Sequence, residues 1–388
     1  MKILVNATNM VVGGTIQKAT SFIIEAIKAK DRGLEFYFCV SEAVFETINR
    51  LGVENSPWKI EKFKNNPNHP IRGFRERQRL HEVETIFKPD IVYSVSGPIV
   101  TKFKALHLCG CGIGTTTHPS KIFYKKMGLV YFFKNQLRKI WDFHFLRQAD
   151  FWKVQANVAR RGLMKGVGTD DEHVRVIANT CARIFLDAPK SEANFGEKEI
   201  RLFALGAPYI HKNFDIIPDV LAHLKKIDPI RKYVFTLTLP ETCKVWGIVK
   251  KRAIELGVMD GVRNLGRVFL SDCPEIYNTN HIVFMPTLLE SFSATYPEAM
   301  AMRRPIVTSD LDFARDICKT AALYYSPLDS ADAACKILQV VENPSLREYL
   351  IAEGEKVLGE LPSAEGKYKL LVKYMREIVA GQAHCDTA

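Results

Sequence analysis

Two carboxylates eight positions apart are the residues of this chain whose spacing most clearly suggests chemistry. Glu290 follows an apolar segment, residues 281–285, and Glu298 lies at the start of a segment rich in alanine and methionine. The apolar segment predicts a strand. Thr295 and Pro297 predict the start of a helix, because proline is tolerated where the backbone N–H is unpaired. Both acids are therefore expected at the carboxyl end of a strand, where open α/β sheets bind ligands.

The same residues allow a purely structural interpretation. Thr295 and Glu298 have the spacing of a capping box, in which a glutamate satisfies helix N–H groups without any ligand. The two carboxylates alone do not decide between a helix cap and a binding site.

The elements that must position these acids alternate along the chain. Apolar segments that predict strands are separated by segments with helical spacing, which indicates parallel, doubly wound α/β sheets. At 388 residues the chain is long enough for two domains. The polar segment 187–198 is predicted to link a first domain, 1–190, to a second, 199–365. A last helix is expected at about 366–388.

The spacing Glu290-x7-Glu298, with Pro286 before it and Phe292 within it, resembles the signature of the retaining glycosyltransferases of family 4. This resemblance implies the GT-B fold, in which two Rossmann-like domains face a cleft. It also implies that the helix at 366–388 packs back on the first domain. In that family the first glutamate contacts the donor sugar and the second the ribose of the nucleotide.

The resemblance extends to a cation that would bind the donor diphosphate. Lys212 matches the family's lysine, and a lysine beside helix N–H groups suits a diphosphate. The arginine that usually stands five residues earlier is Ala207 here, so Arg267 or Lys319 would have to supply a second cation. Glu290 and Lys212 are predicted to be catalytic. The predicted donor-binding set is Gly13, Gly14, Ala207, Lys212, Arg267, Val268, Glu290, Ser291, Phe292, Ser293, Ala294 and Glu298.

A further departure from the family affects this prediction. The usual Glu-Gly-Phe-Gly is Glu290-Ser291-Phe292-Ser293 here, and a serine would be strained if the turn required a positive φ. In contrast, Gly13-Gly14 matches the family's N-terminal glycine-rich turn, which faces the donor phosphate, and it lacks the nicotinamide pattern. We expect neither a metal nor another cofactor.

Two histidines of the first domain, His107 and His118, are predicted near strand ends. Either could contact the sugar or acceptor, or be structural. Nine cysteines without a C-x-x-C pair indicate neither a zinc ribbon nor a thioredoxin site, and favour a reduced, cytoplasmic location.

The net charge of +11 lies entirely in the first half of the chain, which points to an anionic partner for that half. Segment 121–147 mixes cations with aromatic residues, which suits an anionic membrane surface, single-stranded nucleic acid, or an ordinary helix. The resemblance favours lipid, so no nucleic acid partner is expected. The candidates to face the membrane are Lys125, Lys126, Phe132, Phe133, Arg138 and Lys139.

The predicted function is retaining transfer of a hexose-type sugar from a nucleotide diphosphate to a glycan or lipid-linked acceptor. The setting implied by the resemblance is bacterial surface polysaccharide synthesis (O-antigen, capsule or exopolysaccharide), on the cytoplasmic side of the membrane. Two alternatives remain open: a non-catalytic GT-B protein that binds nucleotide or polyanion, and a sugar-nucleotide epimerase on the same fold.

Overall fold

The computed structural model describes residues 1–11, 13–52 and 56–385, with the side chains of 382–385 excepted. It divides into two compact units. Unit 1 comprises Met1–His118, Lys134–Ala178 and the chain from Pro362 onwards; unit 2 comprises Pro119–Phe133 and Asn179–Leu361. The predicted first domain, 1–190, thus extends past Ala178, and segment 119–133 groups with unit 2. Residues 386–388 of the predicted last helix lie outside the described residues.

The described chain contains thirteen strands. In chain order they are β1 (Lys2–Ala7), β2 (Glu35–Ser41), β3 (Lys59–Phe63), β4 (Ile91–Ser94), β5 (Leu106–Gly110), β6 (Phe151–Val154), β7 (Val174–Val176), β8 (Glu199–Ala204), β9 (Lys232–Leu237), β10 (Val262–Asn264), β11 (Ile282–Met285), β12 (Ile306–Ser309) and β13 (Ala322–Tyr325).

Sixteen α-helices accompany these strands within the described residues. They are α1 (Gly13–Ala29), α2 (Glu42–Arg50), α3 (Phe74–Phe87), α4 (Gly114–Thr117), α5 (Lys121–Met127), α6 (Leu129–Leu146), α7 (Asn157–Val167), α8 (Arg183–Leu186), α9 (Ile217–Ile227), α10 (Lys244–Glu255), α11 (Cys273–Thr279), α12 (Thr295–Ala301), α13 (Asp312–Cys318), α14 (Ser330–Glu342), α15 (Pro344–Glu360) and α16 (Ala364–Cys385).

Unit 1 is built on a seven-stranded sheet in the order β3-β2-β1-β4-β5-β6-β7, and all of its strand pairs are parallel. Such strands are covered on both faces, which explains why β1 is buried from Ile3 to Ala7. Helix α16 packs on this unit: Tyr368, Leu371 and Met375 belong to the same apolar cluster as Ile3.

Unit 2 is built on a six-stranded sheet in the order β10-β9-β8-β11-β12-β13, again with parallel pairs. Its core joins β8, β9 and β11 to α9, α10 and α14. The order reverses direction at β8, so the loops after β8 and β11 lie side by side at the point where open sheets bind ligands. The prediction of two doubly wound parallel sheets is confirmed.

Three local features differ from what the sequence predicts. The polar segment 59–79, for which no strand is predicted, contains an edge strand, β3, which forms because its backbone pairs with Tyr37–Ser41 and its Phe63 is buried. The segment 121–147 is two helices, because Gly128 adopts a φ of +84° between α5 and α6. Gly13 and Gly14 are the first residues of α1 instead of a turn before it. No helix among the described residues is both long and apolar enough to cross a membrane.

We expect Gly162→Ala to destabilise unit 1. A Cβ at Gly162 of α7 would lie 1.8 Å from the carbonyl oxygen of Thr117, so one of the two helices would have to move. The expected loss in the free energy of unfolding is about 2 kcal/mol, measured by urea unfolding. Gly247→Ala in α10 is the matched control, because its Cβ meets no atom within 4 Å. Equal stability of the two variants would contradict the close packing of α4 on α7.

Candidate functional site

The site lies in unit 2, where two loops follow adjacent parallel strands. The chain leaves β8 at Ala204 and reaches a 3-10 turn, Ile210–Lys212. It leaves β11 at Met285 and reaches α12. The backbone N–H of Leu288 donates to the carbonyl of His211 over 2.8 Å, which joins the two loops.

A salt bridge between Lys212 and Glu290 connects the side chains of the two loops. Both side chains are largely covered, at 12% and 15% exposed. Thr287 Oγ1 lies 3.3 Å from Glu290 Oε1, so a hydroxyl supports the same carboxylate oxygen. Gly206 makes room for the lysine, because a Cβ there would lie 3.3 Å from Lys212 Cε. The lysine is therefore held in place before any ligand arrives.

Glu298 is the second carboxylate of the site, and it is 7% exposed. The hydroxyl of Tyr277 donates to Glu298 Oε2 over 3.0 Å. Burial raises the pKa of Glu298 to about 7, although the Tyr277 hydrogen bond and the charge of Lys212 both act to lower that pKa. One lysine thus acts on both acids, and the ionisation of Glu298 changes near neutral pH.

Helix α12, which carries Glu298, is held in place by buried contacts. All seven residues of α12 are buried, and the hydroxyls of Tyr296 and Thr308 lie 2.9 Å apart. The N-cap is Ala294, with no side-chain cap, and Thr295 is already helical. The capping-box interpretation is therefore wrong: Glu298 does not cap the helix through a box, because its carboxylate accepts from Tyr277.

The loop between the two acids replaces the family's glycines with serines. Neither Ser291 nor Ser293 is among the described residues with positive φ, so the serines carry no backbone strain. Ser293 is buried, Ser291 and Phe292 are half-buried, and Ala294 is exposed.

Neither Lys319 nor Arg267 is clearly placed to supply the second cation expected near Ala207. Lys319 pairs with Glu360 at the end of α13, so its charge is already committed to another carboxylate. Arg267 is exposed and Val268 half-buried in the loop after β10, two strands away from β8. His211 stacks on Tyr209, and burial lowers the pKa of its imidazole below the ordinary value, which favours the neutral form.

The predicted residues of unit 1 have different environments. Gly13 and Gly14 are exposed at the start of α1. His107 is buried, and its Nε2 lies 2.8 Å from Ser94 Oγ. Burial lowers the pKa of His107 to about 3, which favours the neutral imidazole and the structural alternative for this residue. His118 ends α4, with its Nδ1 2.7 Å from Thr117 Oγ1.

The candidates to face a membrane divide into three groups. Lys126 pairs with Asp215, so its charge is not available to lipid. Phe132 packs edge-on against Tyr124, and Lys139 is half-buried with a pKa that burial lowers. The remaining candidates, Lys125, Phe133 and Arg138, are exposed.

Two side chains of the site were not predicted from the sequence. Tyr277 lies on α11, twenty-one positions before its partner, and Thr287 lies in the loop. Tyrosine and threonine are common core and loop residues, and no spacing links them to the acids. No group of three His, Cys, Asp or Glu residues that could hold a metal is found among the described residues; the absence of a cofactor remains a prediction.

Comparisons with known proteins relate unit 2 to one family and the fold to solved structures. Residues 188–357, nearly all of the larger part of unit 2, match the family described as Glycosyl transferases group 1. The two-sheet architecture is the GT-B fold of solved glycosyltransferases. A glycosyltransferase from Rickettsia africae superposes with a TM-score of 0.72 at 14% identity, covering 97% of this chain and 98% of that one.

Two further proteins are similar to this chain. HepE of Anabaena, solved with UDP and glucose, has a TM-score of 0.69 and 14% identity over 97% of this chain and 99% of its own. The O-antigen chain mannosyltransferase RfbU of Salmonella typhimurium is 24% identical over 182 residues, or 47% of this chain. That match spans about half, 48%, of the RfbU chain.

We expect Glu298→Gln to stabilise the protein at pH 8. Burial raises the carboxyl pKa from 4.5 to about 7, so the folded protein binds this proton more tightly than the unfolded chain. Stability is therefore lost as pH rises from about 4.5 to about 7, and the loss persists above pH 7. Glutamine keeps an acceptor for Tyr277 without the charge, and should recover about 1–3 kcal/mol at pH 8.

Urea unfolding at pH 5 and pH 8 measures this difference. Glu275→Gln removes an exposed carboxylate from α11, the helix that carries Tyr277, and serves as the control. If Glu298→Gln were less stable than the parent at pH 8, the buried carboxylate would not destabilise the folded protein.

Proposed function

We propose that this chain is a retaining glycosyltransferase of family 4. It would transfer a hexose-type sugar from a nucleoside diphosphate donor to a glycan or lipid-linked acceptor. The observation that carries this proposal is the Lys212–Glu290 salt bridge, with Glu298 under the influence of the same lysine, at the carboxyl ends of β8 and β11.

Lys212 is suited to stabilise the departing diphosphate. An ammonium has three donors, so Lys212 can keep its bond to Glu290 and still donate to a phosphate oxygen. A cation that is already fixed in a largely covered site stabilises developing negative charge without reorganising. The backbone N–H groups of the loop between Glu290 and α12 can add donors.

Glu298 is suited to accept from the ribose of the nucleotide. Tyr277 uses Oε2, which leaves Oε1 and the remaining lone pairs for two ribose hydroxyls. Glu290 would hold sugar hydroxyls or balance the positive charge at the anomeric carbon. We do not assign it as a covalent nucleophile: the leaving phosphate would take the acceptor proton, with front-face attack giving retention. No metal is needed in this scheme.

The biological setting we propose is bacterial surface polysaccharide synthesis on the cytoplasmic side of the membrane. The similarity to RfbU, an O-antigen chain mannosyltransferase, supports this setting, as does the match of residues 188–357 to group 1 glycosyl transferases. Because HepE was solved with UDP and glucose, a UDP-sugar is the first donor to test.

Helix α6 is the surface by which the protein would contact an anionic membrane. Its large apolar side chains recur at helical spacing and are exposed: Leu129, Val130, Phe133, Leu137, Ile140 and Trp141. Lys134 and Arg138 lie at the same exposed part of the helix. Apolar and aromatic residues beside cations are the chemistry of helices that lie in the interface of anionic lipid.

We expect Lys212→Met to lower kcat by about 10²- to 10³-fold, as removal of one preorganised charge does in other enzymes. The assay is release of nucleoside diphosphate from UDP, GDP and ADP sugars in the presence of bacterial membrane lipid extract. Lys319→Met, which breaks another lysine–glutamate pair of unit 2, should leave kcat unchanged. NMR of the product tests retention of the anomeric configuration.

The same assay separates the alternatives. Nucleotide binding with an intact donor after long incubation would support the non-catalytic protein, and conversion of the donor without acceptor would support an epimerase. Either result would overturn the proposed transfer, as would a Lys212→Met variant with full activity.

We expect Leu137→Asp to weaken binding to anionic vesicles by about tenfold, because it replaces an exposed apolar side chain with a negative charge. Co-sedimentation with phosphatidylglycerol vesicles measures the binding. Ile230→Asp is the control, since Ile230 is 86% exposed and lies outside α6. Equal vesicle binding by the two variants and the parent would rule out α6 as the membrane surface.

A further inference from the structure

Three lysine side chains line one enclosed cavity of unit 1. Lys18 comes from α1, Lys153 from β6 and Lys367 from α16. The cavity lies at the carboxyl end of the sheet, since Lys153 is the penultimate residue of β6 and Val95, which follows β4, also lines it. Three different elements thus bring positive charge to the part of a parallel sheet where ligands bind.

No carboxylate lines this cavity among the described residues. Lys153 is only 2% exposed, and burial lowers its pKa well below the ordinary value. The other charges that act on Lys153 are those of Lys367 and Lys18, and both lower its pKa further. Buried charges are normally paired, because desolvation of a lone ammonium is costly. Lys153 and Lys18 have no ion pair with an acid in the described structure.

A buried tyrosine hydroxyl lines the same cavity. Tyr368 of α16 is buried, and its Oη has no hydrogen-bond partner among the residues that the structure describes. A buried hydroxyl without a partner is uncommon in folded proteins and calls for an explanation such as a missing ligand. The Tyr368 hydroxyl is an observation independent of the lysine charges, and it indicates a ligand in the same cavity.

We propose that the cavity lined by Lys18, Lys153, Lys367 and Tyr368 binds a phosphate-type dianion. The dianion would supply the negative charge that balances the three ammonium groups, and the Tyr368 hydroxyl would donate to a phosphate oxygen. This inference stands on unit 1 alone and does not depend on the proposed sugar transfer.

The electrostatics of the cavity also predict how binding responds to pH. Its titratable groups are the lysines from α1, β6 and α16 together with Tyr93 and Tyr368. Burial and the neighbouring Lys18 lower the pKa of Lys367 to about 8. A bound dianion favours the charged lysines, so binding takes up protons and its affinity falls as pH rises through 8.

The test is calorimetric titration of the full chain with inorganic phosphate at pH 7, at constant ionic strength set with chloride. Lys153→Met and Lys367→Met should each weaken phosphate binding by at least about tenfold, which corresponds to loss of one charge-assisted hydrogen bond. Both variants should be folded and no less stable than the parent, because each removes a charge from a self-repelling cluster. Lys369→Met removes an exposed lysine from α16, and should bind phosphate like the parent.

Two further ligands distinguish the sources of the phosphate group. Tighter binding of geranyl diphosphate than of inorganic phosphate, lost in Lys153→Met, would assign the cavity to a phosphorylated lipid. Tighter binding of glucose 1-phosphate would assign it to a sugar phosphate, and equal binding of all three to the free anion. The proposal is overturned if phosphate does not bind the parent in preference to chloride, or if both cavity variants bind as the parent does.

Discussion

The charge of Lys212 is the interaction on which the site of unit 2 depends. Adjacent parallel strands, β8 and β11, bring its loop against the loop of Glu290, and the first turn of α12 brings Glu298 within reach of the same charge. That lysine places a positive charge beside two largely covered carboxylates. Burial makes both the lysine cation and the carboxylate anions costly in free energy. This is typical of sites that exchange one charged partner for another.

Charged side chains are arranged differently in the two units. In unit 2 a cation is paired with an acid, and a second acid remains buried with a pKa near neutrality. In unit 1 three lysines share a cavity that no described carboxylate lines. In each unit burial disfavours the charged form of one of these groups, Glu298 in unit 2 and Lys153 in unit 1. The excess positive charge of the first half of the chain is thus concentrated, in part, where it repels itself.

The sequence allowed much of the architecture to be predicted, because long apolar segments and their alternation reflect local and burial preferences. Glu290, Glu298 and Lys212 could be chosen because a spacing linked them to a known family. Tyr277 and Lys153 could not, since their roles arise from contacts between residues far apart in the chain. Strand β3 was missed because its edge position depends on backbone pairing more than on apolar side chains. The role of His107 stayed open at the level of sequence because only the fold shows that it is buried.

The most direct test of the central claim, that Glu298 and Lys212 form a nucleotide-binding site, is the pH dependence of nucleoside diphosphate affinity. Ribose hydroxyls donate to an ionised carboxylate, so affinity should fall as pH decreases from 8 to 6 and Glu298 gains its proton. Calorimetric titration with UDP, GDP and ADP at both pH values gives the affinities. We predict a loss for the parent protein at pH 6 that is absent in Glu298→Gln, whose affinity is low at both. An unchanged nucleotide affinity in Glu298→Gln at pH 8 would contradict the account.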